Sequence, residues 1–225
     1  AERERAERLE RQAAQTELML LQSQLEPHML FNTLANLRVL IGLDAQRAQA
    51  MLDHLIAFLR STLNASRVAR HPLAAEFDRI GDYLALMAVR MGPRLQARLD
   101  LPDELRSWPV PPLLLQPLVE NAIQHGLEPN VDGGWIEVAA RRDGAQLVLS
   151  VRDTGVGLAA AGQPAPTQGT RFGLSLVRER LATLHGAAAS LALEPGTDGR
   201  GGTLATVRLP LPPVIRSTAS EGPPP

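Results

Sequence analysis

At 225 residues the chain is long enough for one large domain or two small ones, and with aromatics at only 3% its cores must be filled by Leu, Ala and Val. A formal net charge of −1 gives a phosphate backbone nothing to grip, which leaves nucleic acid out of the expected partners. The lack of cysteine excludes disulfides, thiolate metal sites and cysteine nucleophiles, and fits a reducing compartment.

Residues Ala1 to Gln15 are strong helix formers with interleaved Glu and Arg. Taken alone they read as a solvated helix end; read functionally, 1–17 is a coiled-coil signalling helix. Leu18, Leu21 and Leu25 continue at heptad-like spacing toward Pro27. No apolar run reaches bilayer length and no signal peptide is present. Because the chain begins Ala1-Glu2-Arg3 without Met, it reads as a cytoplasmic fragment, with any inner-membrane anchor in a missing upstream segment.

The stretch Gln24 to Asn32 sets a histidine directly after Pro27, inside an otherwise helical apolar pattern. At helical spacing His28 and Asn32 share a face, while Leu30, Leu34, Leu37 and Ile41 form a second stripe that should bury against a neighbouring helix. A lone helical histidine is usually a surface or satisfied core residue; an imidazole on a separate stripe can also present a nucleophile. Both readings stay open at this point.

That helix should run to about Leu43, where Gly42 and Asp44 offer a stop and a new N-cap. A second helix follows from Ala45 to about Asn64, then a loop to Pro72, then a third helix from Leu73 to about Met91 ended by Gly92-Pro93. Residues 18–92 are therefore expected to form a helical dimerisation domain. Its apolar stripes exceed what one hairpin can bury, and a four-helix bundle in a homodimer is the natural solution.

From Arg94 the pattern changes. Leu95 to Leu101 alternates with period two, a strand signal. Leu113 to Gly126 reads as a helix. Trp135–Ala139 and Leu147–Val151, joined by Asp143-Gly144, read as a hairpin. Gly157 to Phe172 reads as a loop, Leu174 to Leu184 as a helix, and Ala188–Leu193 and Leu204–Leu209 as strands. Residues 93–211 thus predict a layered α/β sandwich, and the Pro-rich tail 212–225 a disordered end. The fold class expected for the whole is α + α/β.

Three stretches carry chemistry. In Leu118 to Gly126 the residues Glu120, Asn121, Gln124 and His125 share the polar side of a helix. An amide oxygen such as that of Asn121 suits Mg²⁺, and Gln124 and His125 lie one turn further on, within reach of phosphate. In Val151 to Gly157 the carboxylate of Asp153, at a strand end, can accept the amino hydrogens of adenine, while Gly155 and Gly157 let the backbone approach the base. Gly169-Thr170-Arg171-Phe172-Gly173-Leu174 is expected as a glycine-rich turn entering a helix, a place where backbone N–H groups bind anions. Thr203, after Gly201-Gly202, can place a hydroxyl near the base.

In this order and spacing, residues 93–211 resemble the GHKL (Bergerat-type) ATP-binding fold. With Pro27-His28-Met29-Leu30-Phe31-Asn32 and the run Pro111 to Asn121, the chain resembles the sensor histidine kinases of the LytS type over roughly Leu18 to Leu211. The resemblance implies ATP and Mg²⁺ as cofactors, His28 as acceptor of the γ-phosphate, Asn121 as metal ligand and Asp153 as the adenine-reading group. It implies Gly126, Gly155, Gly157, Gly169, Gly173 and Leu174 as pocket and lid, and a response regulator receiver domain as the partner that takes the phosphate from His28.

Two positions depart from that family's lid: Arg171 stands where a glycine is usual, and Leu176 where an asparagine is. Met29 follows the histidine where many histidine kinases carry an acid. Asn32 is then the candidate to orient the imidazole and Glu120 the candidate to accept its proton. Two rivals stay open: a GHKL ATPase working by hydrolysis, and a degenerate nucleotide-gated scaffold without autophosphorylation.

Overall fold

The computed structural model describes residues 27–65, 69–158 and 168–211, without the side chains of 27–28, 63–65 and 168–172. The expected signalling helix over 1–17, the heptad leucines Leu18, Leu21 and Leu25, and the tail 212–225 lie outside the described residues.

Helix α1 (Pro27–Leu43) and helix α2 (Ala45–Ala65) form the expected hairpin. Asp44 separates them, and its carboxylate accepts the Arg47 N–H at 3.0 Å, an N-cap of the kind that contributes about 1 kcal/mol. On α1 the inward residues are Met29 and Thr33, while Leu34 is 45% and Ile41 65% exposed. The stripe expected to bury is thus only partly covered within the chain, because a single neighbouring helix covers a single stripe. Helix α2 turns Ala48, Met51, Leu55, Phe58 and Thr62 inward, spaced by three and four residues.

Strand β1 (His71–Pro72) leads into helix α3 (Leu73–Met91), which stops at Gly92 with φ 61 just before Pro93. Phe58 of α2 meets Tyr83 of α3 with ring centroids 5.5 Å apart, and Arg47 donates to the Val89 carbonyl at 3.1 Å. Helix α3 also packs on strand β2 (Leu95–Asp100). Strand β1 pairs antiparallel with β3 (Pro109–Val110), a small sheet that the prolines hid from sequence reading.

The remaining strands are β4 (Gly134–Asp143), β5 (Gln146–Asp153), β6 (Ser190–Pro195) and β7 (Thr203–Pro210). They form a five-stranded sheet with β2 in the order β2-β4-β5-β7-β6; β2 runs parallel to β4 and every other pair is antiparallel. Strand β5 is central and nearly continuously buried, whereas β2, at the edge, buries only Leu95. The strand signal in 95–101 was sound, but its alternation does not mark a buried face.

Helix α4 (Gln116–Asn121) continues into a π-helical turn, Ala122–Leu127, where one α-helix over 113–126 was expected. The late start has two causes. Pro117 is tolerated only in a first turn, and Leu113 has φ 58, outside helical space. Helix α5 (Gln168–His185) starts earlier than expected, so Gly169 to Leu174 is helical rather than a turn. The buried face of Leu174, Val177 and Leu181 anchors that helix, and two glycines at about 1 kcal/mol each do not prevent it from extending backward.

Candidate nucleotide site

The site is built where β5 ends. Asp153 is its last residue, 2% exposed, and its Oδ1 accepts the Gly155 N–H at 2.9 Å. The π-turn packs directly on it: a Cβ on Gly126 would lie 2.7 Å from Asp153 Oδ1. The Val156 N–H donates to the Gly126 carbonyl at 3.0 Å, and a Cβ on Gly155 would fall 2.1 Å from the Gly126 carbonyl group. From the other side, Gly202 has φ 75, and a Cβ there would be 2.0 Å from the Asp153 carbonyl oxygen. Gly155 and Gly202 need glycine because backbone is packed on backbone there, and Gly126 because it lies against the buried Asp153 carboxylate. The π-turn is the local device, since wider winding at the end of a short helix brings Gly126 against the strand end.

The structure thus brings together Gly126, Asp153, Gly155, Gly157 and Thr203. Gly157 (φ 79) would set a Cβ 3.3 Å from the Gly202 carbonyl oxygen, and Thr203 opens β7, 7% exposed. Glu120, Asn121, Gln124 and His125 line α4 and the π-turn, all half-buried. Glu120 accepts a hydrogen bond from Gln116 Nε2 at 2.8 Å. Gly173 lies on α5 with its would-be Cβ 3.6 Å from Pro117 Cβ, next to the buried Leu174. Leu176 is 51% exposed. Gly169 and Arg171 fall in the first turn of α5, and the Arg171 side chain lies outside the described residues. His28 is the second residue of α1, on the separate hairpin, and its side chain also lies outside the described residues. Asn32 is half-buried one turn on.

Sequence reasoning missed the support behind Thr203. Arg152, next to Asp153 but facing the other way, donates to Asp198 Oδ1 at 2.6 Å and to the Gly201 carbonyl at 2.5 Å. Arg200, paired to the same Asp198, sits 4.7 Å from the Trp135 ring centroid. This latch pins the β6–β7 turn over the end of β5. The signal was available as an arginine on a central strand, a residue seldom buried without a partner.

Burial pushes the Asp153 carboxyl above the usual aspartate value of 3.8, partly offset by the Gly155 and Thr203 N–H groups and the Arg152 charge. Burial likewise holds the His125 imidazole below its usual value, so it is neutral at pH 7. The sign for Asp153 is that protonation sets in at higher pH than for a free aspartate, and a protonated carboxyl is a poorer acceptor. Its contribution to folding has the opposite use: it favours the folded state at low pH and is lost as pH rises through the raised pKa. If Asp153 receives the adenine amino group, as the resemblance implies, ATP affinity falls on acidification with a midpoint above 3.8, measured by titration calorimetry at stepped pH. A midpoint at or below that value would contradict the assignment.

Among the described residues no three His, Asp or Glu side chains cluster as a metal cage. The half-buried Asn121 carries an amide oxygen of the kind that suits Mg²⁺, an ion that takes one or two protein groups and completes its shell with water and phosphate oxygens.

The site therefore stands behind a helical hairpin, in a mixed sheet, as a glycine-walled carboxylate at a strand end. Residues 16–95 match the family model for Histidine kinase, and residues 112–213 the model for Histidine kinase-, DNA gyrase B-, and HSP90-like ATPase. Sensor histidine kinase BtsS of Escherichia coli (strain K12) is 35% identical over 207 residues, covering 91% of this chain and 35% of that protein. Sensor protein LytS of Staphylococcus haemolyticus (strain JCSC1435) is 32% identical over 185 residues, covering 79% of this chain and 32% of that protein. Among solved structures, the Erythrobacter litoralis EL346 blue-light activated histidine kinase aligns with a TM-score of 0.44 at 16% identity, over 83% of this chain and 64% of that one. The chain spans about a third of the length of the curated relatives it matches. It belongs to the histidine kinase family, among the LytS-type sensor kinases to which its motifs point.

Proposed function

We propose that this chain is the catalytic part of a homodimeric sensor histidine kinase, which transfers the γ-phosphoryl group of ATP to His28 and then to an aspartate on a response regulator receiver domain. The observation that carries this reading is the interlock of Gly126, Asp153, Gly155 and Gly202 around a buried carboxylate. Asp153 accepts the adenine amino hydrogens, Thr203 lies beside it, and Gly155 and Gly157 leave room for the base. Gln124 and His125 face the phosphates, and Gly169, Arg171, Gly173 and Leu174 form the lid. Mg²⁺, when bound, neutralises phosphate charge, and Asn121 offers it an amide oxygen.

The chemical step needs little from the protein beyond positioning. A lone pair of the His28 imidazole forms the N–P bond as the bond to the β–γ bridging oxygen breaks and ADP leaves. The ring N–H becomes acidic, Asn32 orients it, and Glu120, itself held by Gln116, takes the proton.

The homodimer is supported by the outer face of the hairpin. Phe31, Val39, Ile41 and Leu43 of α1 are each more than half exposed, and Leu52 and Ile56 of α2 are 42% and 40% exposed. A second copy would cover this face as a four-helix bundle. No helix among the described residues is long and apolar enough to cross a membrane.

The test is ATP binding with and without Mg²⁺. Asn121→Ala should weaken Mg·ATP about tenfold and metal-free ATP little, whereas Asp153→Ala should weaken both by that much or more. Equal losses in the two conditions for Asn121→Ala would remove it as the metal ligand.

A further inference from the structure

Leu113 is the one non-glycine residue with positive φ among the described residues, a conformation that a leucine disfavours. It sits in the turn feeding α4, and a single buried carboxylate holds that turn. Glu76 of α3, 0% exposed, accepts the N–H of Leu113 through Oε1 at 2.8 Å, and those of Leu114 and Leu115 through Oε2 at 3.0 Å each. Three successive N–H groups converging on one anion form a nest, a geometry usually offered to a bound phosphate or carboxylate. Here the anion is internal. Arg79, 2% exposed and one turn along α3, is ion-paired to it, and the neutral imidazole of His71 lies beside it, with Nε2 2.9 Å from Oε1 but not aligned as a hydrogen bond. Burial first, then the charges of Arg79 and Arg180, hold His71 down at about 4. Arg180 of α5 donates to the Pro112 carbonyl at 2.5 Å.

We infer that Glu76 is a positioning residue for the nucleotide site: with Arg180 it clamps the 112–115 turn and so sets where α4 carries Asn121. The inference rests on the ATP-binding reading above. An apolar side chain at 76 would leave three N–H groups and Arg79 without partners in the interior, so the buried charge is there for geometry. Asn121 stands six residues beyond Leu115, about 9 Å along a rigid helix axis, so a shift of the turn moves the metal ligand with it. By the same contacts α3, grouped with the dimerisation domain over 18–92 on sequence, is a working part of the nucleotide-binding unit.

Two readouts test this. Glu76→Gln presents a donor where three donors converge, and amide hydrogen exchange at Leu113, Leu114 and Leu115 should accelerate about tenfold, with or without nucleotide. Unchanged exchange in that variant would overturn the clamp without touching the ATP-binding reading. Arg180→Gln, whose amide donor is too short to reach the Pro112 carbonyl, should weaken Mg·ATP about fivefold, and Arg180→Lys, which keeps a long cationic donor, should restore it. In an Asn121→Ala background the Arg180→Gln loss should vanish, because the clamp acts through Asn121. A loss that persists there, or a Lys variant as weak as Gln, would reduce Arg180 to general packing and overturn the inference. Should Glu76→Gln fail to fold, the Arg180 series decides. If the parent itself binds no ATP, the reading beneath the inference fails, and the exchange experiment still reports on the clamp.

Discussion

Gly155→Ala is expected to abolish ATP binding and to lower stability by about 3 kcal/mol. A methyl group at this position would lie 2.1 Å from both the carbon and the oxygen of the Gly126 carbonyl, and neither backbone can yield. Gly126 is tied by its hydrogen bond from Val156 and is itself pressed on Asp153; Gly155 donates to the Asp153 carboxylate. The control is Gly173→Ala, whose methyl would meet Pro117 at 3.6 Å, an ordinary contact on a helix where alanine is preferred. That variant should be as stable as the parent or more so. Urea denaturation separates the two, and a Gly155→Ala protein with parental stability would show that the π-turn and the strand end are not interlocked.

His28→Ala is expected to remove all transfer of phosphate to the protein while leaving ATP affinity and unfolding midpoint within experimental scatter of the parent. The groups proposed to hold nucleotide stand on α4, the end of β5 and the start of β7, whereas His28, the proposed acceptor, stands on α1, a separate element. The measurement is labelling by γ-labelled ATP beside a binding isotherm. Persistent label on the variant would move the acceptor elsewhere, with His54 and His71 the first to examine. His71 is the poorer candidate, since it lies against the buried Glu76.

What the sequence made legible was local demand. Asp153 followed by Gly155 and Gly157 reads as a tight approach at a strand end because few other residues satisfy it. The hairpin of α1 and α2 follows from periodicity and from Asp44 as a cap. What stayed hidden were contacts that pair distant segments. Glu76 lies on the apolar stripe of α3, between Leu73 and Ile80, yet a glutamate on a helix is almost always solvated, and its three partners are 37 to 39 residues away. Which neighbours α3 serves stayed hidden for the same reason, since it has the periodicity of a bundle helix in either case. Gly169 and Gly173 read as a turn on glycine propensity, and the packing of Leu174, Val177 and Leu181 outweighs it. Leu113 carried no signal at all: a leucine is the last residue one would assign a positive φ.

The central claim is that ATP bound at Asp153 phosphorylates the imidazole of His28. Its most direct measurement is incubation of the chain with γ-labelled ATP and Mg²⁺, followed by acid and alkali treatment of the labelled protein and mapping of the label by peptide. The account predicts a label lost in acid, retained in alkali and confined to the peptide containing His28, because a phosphorus–nitrogen bond is acid-labile and base-stable. An acid-stable label, a label on another peptide, or a chain that binds Mg·ATP and releases only free phosphate would contradict it.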